Sequence, residues 1–220
     1  MIKSDIEKQN SKDWINVMKA KEKAMPFIIS EEKERRSTIY NRESLIHVYQ
    51  KLGEGAVGAE IGVWVGDLSA LMLDFLKPTR LYLVDPWEFY PDFEHELDVA
   101  KFDRVTQPQY FKQDEFDRMY KYTVDRFAGN DIVDIRRGMS EDIAKIIPDN
   151  SLDWAYIDGS HTEKYVYKDL VGWWPKIKDG GVLCGHDFLF DGIPPALKRF
   201  SYETGVDVWP YGSDWWIDKG

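Results

Sequence analysis

The chain has 220 residues, 43% apolar and 31% charged, with a formal net charge of −10, a length that suits one α/β domain with a sizeable core and is short for two. No apolar run approaches the roughly 18 to 20 residues that span a bilayer, and an acidic chain without a basic patch is a poor match for nucleic acid or polyphosphate. The opening MIKSDIEKQNSKDW lacks the apolar core of a secretory signal, and the single cysteine, Cys184, forms no intrachain disulfide. A cytoplasmic location without membrane contact is therefore expected.

Residues 1–36 are polar and helical in character, with Trp14, Ile15, Met18 and Met25-Pro26-Phe27 as scattered apolar contacts, and read as an N-terminal helical extension. The rest, 37–220, reads as one domain. Ser37 to Leu52 is expected to be a helix with Ile39, Leu45, Ile46, Val48 and Tyr49 on its apolar face, stopped by Gly53. The period then changes. Ala56 to Gly62 is a short strand entering a glycine turn, Leu68 to Leu76 a helix, and Arg80 to Val84 a second strand stopped by Asp85-Pro86.

Residues 87–115 have no clear period and are rich in aromatics and acids. A segment of that length in a compact domain suggests a lid or small insertion. Phe116 to Phe127 reads as a helix, Asp131 to Arg136 as a third strand, and Met139 to Ile147 as a helix opened by the capping pattern Ser140-Glu141-Asp142. Ser151 to Ile157 is a fourth strand and Thr162 to Lys176 a helix. Lys178 to Gly181 reads as a tight turn before a fifth strand, Val182 to Gly185. Pro194 to Thr204 is a helix, and Val206 to Trp209 with Asp214 to Ile217 form a closing antiparallel pair. Strands alternating with helices imply a doubly wound α/β sheet, mostly parallel, with helices on both faces. Ligands bind such sheets beyond the carboxyl ends of the strands, at the switch point.

The residues at those ends are informative. The first strand runs into Glu60-Ile61-Gly62-Val63-Trp64-Val65-Gly66-Asp67. Gly62 and Gly66 permit a turn that brings backbone close to a ligand, and the helix after it aims N–H groups at the same place. The Gly-Lys-Ser/Thr of a phosphate loop is absent. An acid at the head of the loop suits a cationic or hydroxyl-bearing ligand. The second strand ends in Asp85, placed to accept hydrogen bonds from ribose hydroxyls. Dinucleotide sites use the same acid. The G-x-x-x-G spacing, with Trp64 inside it, departs from G-x-G-x-x-G and favours a nucleoside without phosphates. The third strand leads to Met139 and Ser140, where an adenine ring or a plain helix cap would sit. The fourth ends in Asp158-Gly159-Ser160-His161 and the fifth in His186-Asp187. Two carboxylates and two imidazoles on one rim can hold a divalent cation and take a proton from a hydroxyl.

Together these segments resemble the class I S-adenosylmethionine-dependent methyltransferases, most closely the bacterial macrocin-type sugar O-methyltransferases. The resemblance runs over about residues 40–218 and rests on GAEIGVWVGDLS, LYLVDPW, LDWAYIDGSHTEKYVYKDLVGWWPKIKDGGVLCGHDF and the late SDWW. It implies a Rossmann-like seven-stranded sheet with an antiparallel last strand. It also implies S-adenosylmethionine as cofactor and a small hydroxylated, sugar-like acceptor. By position, Glu60, Gly62, Val63 and Gly66 shape the methionine side of the pocket, Asp85 holds the ribose, and Met139 and Ser140 flank the adenine. His161 matches the base and is catalytic together with Asp158, which also lies by the cofactor and, with Asp187, matches positions that hold Mg²⁺. His186 stands where the sugar-modifying members carry a further acid. As a ligand it suits Mn²⁺ or Zn²⁺ better than Mg²⁺, so the metal stays open. A homo-oligomer is compatible with all of this.

Three rival readings stand beside it. One is an NAD-dependent oxidoreductase, which lacks its glycine fingerprint here. Another is a non-catalytic nucleoside-binding protein on the same fold. The third is a metal-dependent hydroxylase using His161, Asp187 and His186 as two histidines and one carboxylate.

Overall fold

The computed structural model of the chain describes residues 42–88 and 112–220. Seven strands, β1 (Val57–Ile61), β2 (Arg80–Asp85), β3 (Val133–Arg137), β4 (Leu152–Ile157), β5 (Ile177–Gly185), β6 (Trp209–Tyr211) and β7 (Asp214–Asp218), form one sheet in the order β3-β2-β1-β4-β5-β7-β6. The first five run parallel; β7 is antiparallel to β5, and β6 to β7. The order reverses between β1 and β4, which creates the switch point at their carboxyl ends.

Among the described residues six α-helices accompany the strands: α1 (Glu43–Leu52), α2 (Asp67–Leu76), α3 (Gln113–Arg126), α4 (Ser140–Ile146), α5 (Glu163–Trp173) and α6 (Ile193–Thr204). Alternation along each strand divides the core between two faces. Leu81, Leu83, Trp154 and Tyr156 pack with α1, α2 and α3, whereas Val84, Ala155 and Ile157 pack with α4, α5 and α6. In α1 the buried stripe is Leu45, Ile46 and Val48, each contributing about 1.5–3 kcal/mol through burial. Glu43 in its first turn and Lys51 in its last suit the helix dipole. Among the described residues no helix is long and apolar enough to cross a membrane.

Several expectations are refined. The N-terminal extension and residues 37–41 of the first helix lie outside the described residues, as do residues 89–111 of the expected lid. The flanks of that lid belong to the framework. Trp87 is buried against Tyr120, its indole N–H donating to the Trp64 carbonyl at 2.7 Å, and Gln113 opens α3. The turn expected over Lys178–Gly181 lies inside β5. Gly180 takes a positive φ of 81° and the β4–β5 register shifts between Leu152 and Trp154, so the strand bulges without reversing. Hydrogen bonds from Gly180 N–H to Lys219 and from Lys219 N–H to Gly181 hold the bulge to the chain end. The last hairpin begins at Trp209, because Val206 and Val208 pack against the core beside α6.

Candidate active site

The register of the sheet decides which residues meet. Ile61 pairs with Ile157, and Ile157 with Gly185. The residues one step beyond these pairs, Gly62, Asp158 and His186, therefore stand side by side. Asp85 ends β2 on one flank, and Gly185 pairs with Trp215 on the other, which places Asp214 opposite His186. At about 4.8 Å per strand, the ends of β2, β1, β4 and β5 span roughly 14 Å. Above them opens a pocket of about 600 Å³, whose lining includes Glu60, Gly62, Asp85, Met139, Asp158 and His161. That volume suits a molecule of nucleoside size or larger.

Gly62 has φ 91°, and a Cβ there would lie 2.3 Å from the Asp158 carbonyl oxygen. Only glycine lets the β1 loop turn this close to β4. The loop is tied down from the other side by Asp85. Its Oδ2 accepts the backbone N–H groups of Val63 at 2.8 Å and Trp64 at 3.0 Å, and its Oδ1 accepts that of Trp87 at 2.7 Å. Burial pushes the Asp85 carboxyl above its ordinary value, against the pull of those three N–H groups and of Arg137. Asp85 thus orders the loop as well as facing the pocket. Glu60 is fully buried and accepts the Ser69 hydroxyl proton. Its burial, only partly opposed by that bond, raises its carboxyl well above the usual range.

Met139 and Ser140 line the pocket at the β3 end. Ser140 is not the helix cap its sequence pattern suggests. Met139 occupies the cap position without a side-chain bond. The Ser140 hydroxyl instead donates to Asp169 and accepts the Trp173 indole N–H at 2.8 Å. Tertiary partners on α5 have claimed the side chain that local capping would use.

At the β4–β5 rim the acids and imidazoles meet in a chain. His161 Nε2 is 2.9 Å from Asp187 Oδ2, and its ring stacks on Phe190 at 4.4 Å between centroids. Asp187 Oδ1 is 2.8 Å from His186 Nδ1, and His186 Nε2 lies 3.5 Å from Asp214 Oδ1. Asp187 has φ 58°, uncommon for a residue with a side chain; such backbone concentrates at functional sites. Partial burial alone would raise the Asp187 carboxyl, but hydrogen bonds from His161 and His186 hold it well below the usual carboxylate range. Asp214 is completely buried. Its Oδ2 accepts both the N–H and the hydroxyl of Ser44 at 2.7 Å, and burial still lifts its carboxyl to about 6.

Asp158, His186 and Asp187 each offer a donor atom within 4.8 Å of the others. The gathered set is two carboxylates and one histidine, whereas the hydroxylase reading requires two histidines and one carboxylate. One nitrogen and two carboxylate oxygens fit a divalent cation, Mn²⁺ or Zn²⁺ more readily than Mg²⁺.

Two participants escape a reading of the strand ends. Asp214 belongs to β7, and only the antiparallel register brings it to His186. Arg42, at the head of α1, reaches across the fold: its Nη1 donates to the Tyr156 hydroxyl at 2.7 Å and lies 3.0 Å from Asp158 Oδ2. A buried charge within the SDWW strand is the only local signal for the first. Nothing local marks the second, whose partners lie more than a hundred positions downstream.

The methyltransferase-domain family model matches residues 59–188, more than half of the chain. That stretch runs from within β1 to just past β5 and contains the glycine loop, Asp85, Asp158, His161 and Asp187. The chain belongs to this family and is a class I, S-adenosylmethionine-dependent methyltransferase. No functionally curated protein matches it in sequence. Among solved structures it is similar to the O-methyltransferase NovP, with 13% identity and a TM-score of 0.58 over 84% of this chain and 80% of NovP. It is also similar to CalS11, a calicheamicin methyltransferase, at 12% identity and a TM-score of 0.55 over 92% of each chain. A third neighbour is MycE, a methyltransferase of the mycinamycin biosynthetic pathway solved with Mg and SAH. It has 15% identity and a TM-score of 0.51, with 83% of this chain covering 49% of MycE. At such identities the likeness is one of fold.

Proposed function

We propose that this chain methylates a hydroxyl oxygen of a small, sugar-like acceptor, with His161 taking the acceptor's proton and a divalent cation assisting. The observation that carries the proposal is the His161–Asp187 pair, 2.9 Å apart on the rim of a pocket that also holds the glycine loop. NovP is described as an O-methyltransferase and MycE was solved with Mg and SAH, which supports the reading from shared architecture.

S-adenosylmethionine, when bound, supplies a methyl group on a positively charged sulfur. The chain's own residues bind and align. Met139 and Ser140 flank the adenine, Asp85 accepts from the ribose hydroxyls, and Gly62, Val63 and Gly66 bring backbone against the methionine side, with Glu60 beneath. That order follows the strand ends from β3 to β4. With Nε2 facing the Asp187 carboxylate, Nδ1 is the ring nitrogen that would take the acceptor's proton. Asp187 fixes the ring and stabilises the imidazolium once the proton arrives. Positioning of this kind is worth up to roughly 7–11 kcal/mol in well-aligned cases. Asp158, His186 and Asp187 would hold the cation, which orients neighbouring hydroxyls and makes them more acidic. A cytoplasmic location is part of the same proposal, in keeping with the lone buried thiol of Cys184.

Calorimetry with S-adenosylhomocysteine tests the cofactor half: saturable one-to-one binding is expected, and its absence would overturn it. A panel of glycosides, phenols and amines, assayed for S-adenosylhomocysteine release, tests the acceptor half. Methylation of amines alone would rule out the hydroxyl reading. Dialysis against EDTA is expected to lower turnover at least tenfold, with Mn²⁺ restoring it; undiminished turnover removes the cation from the mechanism.

A further inference from the structure

The methionine end of S-adenosylmethionine is a zwitterion, with an ammonium and a carboxylate on one carbon. A pocket that closes over it must answer both charges, since an unpaired charge taken from water is costly. Carboxylates are plentiful at this site. Cations are not: among the described lining residues only Arg42 and Lys168 are permanently positive. Lys168 bonds Glu141 at 2.8 Å, beside the adenine end of the pocket. Arg42 is left at the β1–β4 end.

The geometry points to Arg42 as the carboxylate receptor of the cofactor's amino-acid end. This rests on the cofactor reading above. Among the described residues the bonds of the Arg42 guanidinium, to Tyr156 and to Asp158, both use Nη1. Among the described residues its Nε and Nη2 take up no other partner, so the fork that best matches a carboxylate is uncommitted. The group is held in place by its anchors: the Tyr156 hydroxyl is fully buried beneath it, and the guanidinium carbon lies 5.7 Å from that ring's centroid. Burial alone would lower its pKa, but Tyr156, Asp158 and Asp214 outweigh this and keep it charged.

Arg42 and its ion-pair partner Asp158, 3.0 Å away, stand together at the β1–β4 end of the pocket. Their place also fits. Asp158 abuts the turn at Gly62, two strands from Asp85, so ribose and amino acid fall at opposite ends of the glycine loop. Arg42 also lies before the segment matched by the family model. It is supplied by the head of α1, and a fragment beginning at β1 would lack it.

The test compares two ligands with one nucleoside thioether in common. S-adenosylhomocysteine carries the amino acid, and 5′-methylthioadenosine does not. Calorimetry on the full chain should show Arg42→Ala weakening S-adenosylhomocysteine at least tenfold while methylthioadenosine binding stays within twofold. Arg42→Lys should recover part of the loss. Unchanged S-adenosylhomocysteine affinity overturns the assignment. So does equal weakening of both ligands, which would make Arg42 a support for the whole pocket; methylthioadenosine binding thereby doubles as the check on folding. Failure of the unaltered protein to bind either ligand would instead remove the cofactor reading itself.

Discussion

Replacing His161 by alanine is expected to reduce turnover by about 10²–10⁴, the usual range for loss of a general base, and to leave S-adenosylhomocysteine affinity within about threefold. The two effects separate because of where the imidazole sits. It belongs to the β4–β5 rim, bonded to Asp187 and stacked on Phe190, away from the Asp85 anchor of the glycine loop. His161→Gln should not rescue, since an amide keeps a hydrogen bond to Asp187 but accepts no proton. The rate is read as S-adenosylhomocysteine release with an acceptor found in the panel. Turnover that survives in both variants at neutral pH would exclude His161 as the base. The reaction would then rest on alignment and on the acceptor's own acidity.

The parts of this site that the sequence makes legible are those attached to punctuation. β1, β2 and β4 are short, largely apolar and followed by Gly62, Pro86 and Asp158, and β5 closes on Gly185, so these ends could be located and Glu60, Asp85, Asp158 and Asp187 placed on one rim. Parallel register does the rest, because residues just past adjacent strands become neighbours. What escapes is whatever depends on distant partners. Ser140 has the local chemistry of a helix cap, yet Asp169 and Trp173 from α5 take its hydroxyl. Trp87 reads as the first aromatic of a lid but turns inward, donating to the Trp64 carbonyl. Lys178 to Gly181 carries turn residues, but β4 and the chain end hold it in the sheet as a bulge. Arg42 reads as one more polar position within the expected helix Ser37 to Leu52. Its contacts follow only once α1 packs against β5 and β7 and brings it to Tyr156.

These long-range contacts alter the chemistry, not just the outline. From strand ends alone the rim is a set of acids with two histidines, inviting a cation on electrostatic grounds. In the fold, Arg42 already lies on one oxygen of Asp158, and Asp187 is shared between two imidazoles. The negative charge available to a cation is therefore smaller than a count of carboxylates suggests. A softer ion that tolerates a nitrogen ligand suits it better than Mg²⁺.

Asp85→Ala should weaken S-adenosylhomocysteine at least tenfold and also lower the thermal midpoint, because the carboxylate proposed to hold the ribose also anchors the glycine loop. Its removal leaves the amides of Val63, Trp64 and Trp87 without their acceptor. A buried polar group left unsatisfied costs about 1–3 kcal/mol, although water entering the pocket would satisfy some of the three. The loop is vulnerable, because Trp64 and Trp87 both hold positive φ values, 57° and 42°, and relax away once the anchor is gone. Asp85→Asn separates the two roles. The amide keeps one acceptor oxygen, but its NH₂ must face either Trp87 or the Val63–Trp64 pair, donor against donor. It should lie between the parent and the alanine variant in stability. A tenfold affinity loss at an unchanged melting temperature would assign Asp85 to the ribose alone. Destabilisation with unchanged affinity would make it a loop anchor and overturn the ribose contact. Loss of both, graded from asparagine to alanine, is the result this geometry predicts.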